Sequence, residues 1–382
     1  MRDTERVRSA AVVDLDAIRE NVAVLREHAP GAGLMAVVKA DGYGHGLVPS
    51  ARAAVAGGAA WLGVAFLEEA LALRAAGLDV PVLAWLFAPG EDLAPAVSAG
   101  VDLGIYDLAE LARAQQAAVM TGRPARVHLK ADTGLSRGGA TPDAWPELCE
   151  GAAKAEADGT LAVTGLWSHF AFADGGPDHP VNSRQSVVFA QALDVAAAAG
   201  LRPEVRHLAN SAATLTAPST HYDLVRPGVS VYGLSPVPRL GSPRDFGLRP
   251  AMSLRSHVAL TKRVPAGSGV SYLHRHTTAA ETTLALVPLG YADGVPRAAT
   301  NTAEVLLGGR RRRIAGTVCM DQFLLDLGDD EVAAGDEVVL FGAGDDGEPT
   351  AQEWAERLGT IDYEIITRVG ARVPRVYVGG DV

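Results

Sequence analysis

Apolar and polar positions along the chain follow two different textures. Through the first two thirds, short apolar runs that read as strands are followed by stretches with apolar residues at helical spacing. The strand candidates are 34–38, 62–66, 82–86, 102–105, 127–130, 161–167, 205–208 and 224–226. Helical patterns at 49–56, 67–76, 92–99, 108–119, 142–155, 182–199 and 210–216 lie between them. Parallel strands need a crossover of this kind, so the alternation predicts an α/β fold built on an N-terminal (β/α)8 TIM-type barrel. Ahead of the barrel, Asp14 is placed to cap a helix with Ile18, Val22 and Leu25 on one face.

After about Leu248 the texture changes. Segments 258–261, 284–288, 304–307, 323–327 and 337–341 read as strands, separated by Gly- and Asp-rich turns such as Gly308-Gly309 and 342–347. A single helical pattern, 351–358, interrupts them. The expectation is a second, mostly β, C-terminal domain. The Pro-, Gly- and Arg-rich stretch 240–250 marks the boundary, giving a barrel over 11–245 and the β domain over 246–382, with 1–10 joining the latter.

Composition narrows the classes. A length of 382 residues suits two domains, and 48% hydrophobic with 21% charged residues reads as soluble and globular. The charged start from Met1 to Arg6 has no apolar signal core behind it, and no apolar run is long enough to span a membrane. The expected location is cytoplasmic. Cys149 and Cys319 form no CxxC or Cys/His cluster, so no disulfide framework and no metal is expected. A net charge of −11 argues against a nucleic-acid partner. Arg310–Arg313 reads as an exposed turn, His274 and His276 as a solvated pair, and Trp61, Trp85, Trp145, Trp167 and Trp354 as packing.

Function in a parallel barrel sits at the carboxyl ends of the strands. Lys39, Lys130, His169, His207 and Arg226 all fall there. Any one could be a solvated loop residue; five ionisable groups at one mouth are the kind of gathering found in active sites. In 36–46 (AVVKADGYGHG), Lys39 leaves an apolar strand and meets a loop with three glycines. An amine partly screened from water loses basicity and becomes a good Schiff-base former, and glycines let backbone approach a bound group. On local chemistry alone, a tight turn with a surface lysine stays open. So does a structural ion pair for Arg226, and for Ser211 simple capping of the helix that Asn210-Ser211 opens.

The 36–46 segment resembles the cofactor-lysine motif of the alanine racemases. Further matches follow in that family's order: 130–137 (KADTGLSR), 168–171 (SHFA), 207–212 (HLANSA), 226–233 (RPGVSVYG), 270–272 (VSY), 289–294 (LGYADG), 319–322 (CMDQ) and 362–365 (DYEI). The resemblance implies a pyridoxal 5′-phosphate enzyme that interconverts L- and D-alanine for peptidoglycan. It implies a homodimer with each site at the interface. Lys39 would hold the cofactor covalently and act as base on one face of the substrate α-carbon, with Tyr272 of the partner chain on the other. Arg226 would face the pyridine nitrogen. Tyr43, Asn210, Ser211, Gly228, Val229 and Tyr363 would hold the phosphate end, and Arg137 and Met320 the substrate carboxylate. His169 would orient the tyrosine, His207 would brace Arg226, Lys130 would be carbamylated, and Tyr291 and Asp321 would lie near the substrate entrance. Leu135-Ser136 departs from the Met-Gly that many members carry before the arginine. Related decarboxylases place a carboxylate where Arg226 stands, so the arginine points to a racemase. The alternatives are a racemase of another small amino acid, such as serine, and a non-catalytic cofactor-binding protein.

Overall fold

The computed structural model describes residues 8–380; the expectations for 1–7 lie outside the described residues. The chain divides into two compact units. Among the described residues, one comprises Ile18–Gly42 and Leu47–Leu248; the other takes 8–17, Tyr43–Gly46 and 249–380.

The first unit is an eight-stranded parallel barrel with helices between the strands. Its strands are Gly33–Val37, Trp61–Val64, Val82–Ala84, Asp102–Ile105, Ala125–Lys130, Leu161–Trp167, Val205–His207 and Leu224–Val225. The last strand pairs with the first through Gly33↔Leu224 and Leu34↔Val225. Between the seventh and eighth strands, Asp223 N–H donates to the Arg206 carbonyl at 3.1 Å and Arg226 N–H to the Ala209 carbonyl at 2.9 Å. An Arg206–Asp223 ion pair at 2.7 Å spans the same gap. Register aligns Lys130 with Trp167 and Trp167 with His207, so three functional-looking side chains stand abreast at the carboxyl edge.

Barrel interiors are usually filled with branched aliphatic side chains. Here much of the filling is aromatic and polar, and glycines make the room. A Cβ on Gly104 would lie 2.8 Å from Trp85, and one on Gly63 2.8 Å from the Met35 sulfur. A Cβ on Gly165 would fall on the His128 ring. His128 and His207 are both fully buried.

The second unit is mostly β. Its six-stranded sheet runs in the order Arg310–Arg313, Glu304–Leu307, Glu337–Phe341, Met252–His257, Ser9–Asp14, Arg375–Val378. A three-stranded sheet of Leu260–Val264, Thr282–Val287 and Phe323–Asp326 accompanies it. Helix Ala351–Leu358 starts on a capping box in which Thr350 and Glu353 satisfy each other's backbone N–H, and ends on left-handed Gly359.

Two expectations change, and one strand goes beyond them. Arg310–Arg313 is an edge strand rather than a turn. The turn itself is Gly308-Gly309, both at positive φ, the geometry of a tight hairpin. Four arginines show no apolar alternation, and their charge on an edge discourages unwanted pairing. The expected strand 258–261 straddles the break between Met252–His257 and Leu260–Val264. The first of these alternates buried and half-buried positions; the second is exposed except at Val264, so its apolar signal is weak. Finally, Ser9–Asp14 is a strand, antiparallel to Met252–His257 and parallel to Arg375–Val378. Asp14 nonetheless caps the following helix, its Oδ1 accepting from Ala17 N–H at 3.0 Å.

Gly165→Ala should destabilise the barrel by about 1–3 kcal/mol, because the added methyl has no space that the His128 ring does not fill. A lowered midpoint in chemical denaturation checks this; an unchanged midpoint contradicts it.

Candidate active site

Lys39 follows the first barrel strand by two residues. Behind it the chain makes a left-handed turn, with φ of 55° at Ala40, 53° at Asp41, 61° at Gly42 and 51° at Tyr43. Left-handed geometry costs about 1–2 kcal/mol for each residue with a Cβ. Hydrogen bonds offset it. Ala40 N–H donates to Glu69 Oε1 at 2.7 Å, Gly42 N–H to the Val38 carbonyl at 2.8 Å, and Leu47 N–H to Asp41 Oδ1 at 2.8 Å. Glu69 Oε2 also accepts from Ala65 and Phe66 N–H, so one carboxylate ties the turn to the end of the second strand. The glycine is required on steric grounds too: a Cβ on Gly42 would sit 2.7 Å from Ser50 Oγ. The Lys39 amine lies 6.0 Å from the centre of the Trp85 ring. Burial, and next the charge of Arg137, hold it below the ordinary lysine range, against a smaller opposing pull from Glu69.

Lys130 ends the fifth strand, 3% exposed, with its amine 4.6 Å from the Trp167 ring and 4.8 Å from the Tyr106 ring. Burial, then Arg137 and Arg226, push it down to about 8. The loop that follows is organised by Asp132, whose Oδ1 accepts from the N–H groups of Gly134, Leu135 and Ser136 at 2.9–3.1 Å. Ser136 sits at φ 57°, a conformation glycine takes without strain, and leads into exposed Arg137.

Arg226 is 5% exposed. Its Nη2 donates to the Ser168 carbonyl at 2.7 Å and the Leu208 carbonyl at 3.3 Å, and meets His169 Nδ1 at 3.2 Å. Its Nη1 meets His207 Nδ1 at 3.1 Å, and the guanidinium lies 5.0 Å from the Trp167 ring centre. Burial, then Arg137, lower it to about 9, which leaves it charged at neutral pH. His169 and His207 are held well below the usual imidazole range, by burial first and Arg226 second, and are neutral.

Beside these groups, Asn210 caps the helix Ser211–Thr216, its Oδ1 accepting from Ala213 N–H at 3.1 Å. Ser211 Oγ accepts from Gly228 N–H at 2.8 Å and Ser230 N–H at 3.5 Å, with Val229 between them. A hydroxyl and converging amides at the start of two helical turns suit a phosphate. The barrel thus brings together Lys39, Lys130, Arg137, His169, His207, Asn210, Ser211, Arg226, Gly228 and Val229.

The second unit holds the remaining expected residues. Tyr43 is buried with its ring centre 6.4 Å from that of Tyr363, and burial raises its phenol. Tyr272 is 71% exposed, between Ser271, Leu273 and His274, all at positive φ. Its backbone is pinned: Ser271 Oγ donates to the Thr317 carbonyl and Thr317 Oγ1 to the Tyr272 carbonyl, both at 2.7 Å. Met320, 52% exposed, and exposed Tyr291 share one tied loop pair, since Tyr291 N–H donates to the Cys319 carbonyl and Ala292 N–H to the Met320 carbonyl. Asp321 pairs with Arg372 at 2.8 Å. His276 is not simply solvated, as it meets Asp326 Oδ2 at 2.8 Å.

Glu69, Trp85, Tyr106 and Trp167 at this mouth, and His128 beneath it, are the residues that sequence reasoning missed. One signal was available: Arg126, His128 and Lys130 fall at period two, on one face of a strand. Trp85 and Trp167, set aside as packing, form the floor under the cations. Among the described residues no cluster of metal-ligating side chains is found, and no helix is long and apolar enough to cross a membrane.

Glu69→Ala should cost about 1–3 kcal/mol through the charge-assisted backbone hydrogen bonds it removes, and should speed tryptic cleavage after Lys39. Unchanged cleavage and an unchanged denaturation midpoint would remove Glu69 from this role.

Comparison with known proteins agrees along the whole length. The family model of the alanine racemase N-terminal domain matches residues 13–236 and that of the C-terminal domain residues 251–377. The alanine racemase of Frankia casuarinae is 68% identical over 97% of each chain. That of Streptomyces coelicolor is 57% identical over 99% of this chain and 98% of its own. The crystal structure of alanine racemase from D-cycloserine-producing Streptomyces lavendulae superposes with a TM-score of 0.97 at 54% identity, covering 98% of both chains. With both halves matched in order and this identity throughout, the chain belongs to the alanine racemase family of isomerases.

Proposed function

We propose that the chain interconverts L-alanine and D-alanine with pyridoxal 5′-phosphate, as a homodimer whose sites each draw residues from both protomers. Buried Arg226 carries this reading. A guanidinium that stays charged and only donates suits a ring nitrogen that must remain unprotonated. The donor set fits the cofactor: an amine of lowered basicity for its aldehyde (Lys39), Arg226 for its nitrogen, and the Ser211 hydroxyl with the Gly228 and Val229 amides for its phosphate. Asn210 shapes that cradle, and the family resemblance assigns Tyr43 and Tyr363 to the phosphate as well. Bound there, the group supplies the electron sink that lets an α-proton leave.

The chain's own residues do the rest. Racemisation needs a proton-transfer group on each face of the α-carbon, since a single base returns the proton where it came from. Lys39 serves one face, its basicity held below the ordinary lysine range by burial and by Arg137. Tyr272 of the partner subunit serves the other. Its exposure on a loop pinned by Ser271 and Thr317 is what a residue offered to another chain requires. Arg226 disfavours a proton on the ring nitrogen, which limits the lifetime of the carbanion and so side reactions. His169 orients the tyrosine, and His207 braces Arg226. Arg137, with Met320 of the partner subunit, holds the substrate carboxylate, and Tyr291 and Asp321 line the entrance. Lys130, lowered to about 8 beside Arg137, carries a carbamate whose negative charge fixes that arginine. The D-alanine formed supplies peptidoglycan synthesis in the cytoplasm.

The test is a chiral assay of the protein with pyridoxal phosphate and L-alanine, run beside L-serine, L-lysine and L-glutamate. Conversion mainly of alanine is expected; conversion of none of them, with cofactor bound, would contradict the proposal. Tyr272→Phe should keep cofactor binding and lose about 10²–10⁴-fold in rate, whereas Lys39→Ala should lose the visible absorption of the bound cofactor. Native mass spectrometry should find one CO2 on the wild type and none on Lys130→Met; an unmodified wild type would remove the carbamate.

A further inference from the structure

Arg226 is the end of a longer chain of buried contacts. His207 Nε2 lies 2.8 Å from His128 Nδ1, and His128 Nε2 lies 3.2 Å from Asp102 Oδ2. Thr164 Oγ1 donates to the same Oδ2 at 2.8 Å, and Arg126 Nε to Oδ1 at 2.9 Å. Asp102 opens the fourth strand at the amino-terminal edge of the barrel, while Arg226 follows the eighth strand at the carboxyl end. The chain of contacts therefore runs the length of the barrel interior.

Its polarity follows from hydrogen-bond chemistry. A guanidinium only donates, so His207 Nδ1 accepts and carries no proton. Neutral His207 then holds its proton on Nε2 and donates it to His128 Nδ1. Because His128 Nδ1 accepts that proton, the N–H of this ring lies on Nε2 and donates to the carboxylate. What one ring nitrogen bonds decides the state of the other. Burial alone would raise the Asp102 pKa, but His128 and Arg126 hold it below the ordinary carboxylate range, so an acceptor is present at that end. Three contacts agree in direction, and no link is left with two donors or two acceptors face to face.

We infer that Asp102 is a remote positioning residue for the reaction. Through His128 it fixes both imidazole tautomers, so that His207 always presents a bare nitrogen to Arg226 and holds the guanidinium in one place and in its charged state. Its consequence for catalysis rests on the reading that Arg226 faces the cofactor; the tautomers themselves do not. Gly165 supports the assignment, since only a residue without a Cβ admits the His128 ring at the middle of the chain. Asp102→Asn is the informative change. Its amide must put a donor against either Arg126 Nε or His128 Nε2, and the second choice reverses both histidines and points an N–H at Arg226.

The experiment is nitrogen NMR of histidine-labelled holoenzyme, read beside alanine racemisation. In the wild type, His128 and His207 should both be neutral with the proton on Nε2. Asp102→Asn should move the His128 and His207 signals off that pattern and lower kcat at least about tenfold, with KM changed much less. Thr164→Val, which keeps the carboxylate, should leave tautomers and kcat close to wild type. A proton on Nδ1 of either histidine in the wild type overturns the inference, even if Asp102→Asn does not fold. So does an Asp102→Asn protein with unaltered kcat, or one whose kcat falls while both tautomers stay put, which would make the effect merely structural. A wild type with the expected tautomers and no racemisation would overturn the alanine reading and leave the relay standing.

Discussion

The buried guanidinium of Arg226 is the constraint around which the barrel mouth is arranged. Desolvating a cation is costly unless its hydrogen bonds are met. The partners that meet them here are two carbonyls and two imidazoles, with the Trp167 indole 5.0 Å from the guanidinium carbon, rather than a carboxylate in contact. That choice keeps the cation available to a ligand. It also sets the neighbours: both histidines are neutral, and Lys39, Lys130 and Arg226 all lie below their ordinary pKa with Arg137 contributing to each. At such a mouth the cations outweigh Glu69 and Glu110, a balance that a phosphate, a carboxylate substrate or a carbamate would each shift.

Precision is obtained by strain held in place. The turn after Lys39 and the segment around Tyr272 both place residues with side chains at positive φ, and each is tied by named hydrogen bonds rather than left to relax. Strain of this kind persists only where surrounding structure over-determines it, and it gathers where geometry matters to chemistry. Glu69 on one loop and the Ser271–Thr317 pair on the other do the same job: each turns a costly backbone shape into a fixed placement of one side chain, Lys39 or Tyr272, proposed to transfer a proton.

The barrel was legible because its apolar runs and helical stretches alternate, and because Lys39, Lys130, His207 and Arg226 fall where strands end. The second unit was less so. Arg310–Arg313 carries no apolar alternation, and Ser9–Asp14 pairs with partners hundreds of residues away, a relation that local pattern cannot express. Within the site, side chains with obvious chemistry were found and those that support them were not. Trp167 reads as packing until register sets it between Lys130 and His207. Asp102 reads as the start of a strand until the barrel closes and brings it beneath His128. The motif resemblance supplied roles for residues whose local pattern was equally consistent with caps, turns and ion pairs.

The central claim is that Lys39 of one protomer works with Tyr272 of its partner. Mixing Lys39→Ala and Tyr272→Phe proteins, after dissociation and reassociation, tests it directly. Each mixed dimer then has one site with both groups intact, so random pairing should return about a quarter of wild-type racemisation from two nearly inactive proteins. If the mixture stays as inactive as its components while mixed dimers are shown to form, the two groups belong to the same protomer and the shared-site account is wrong.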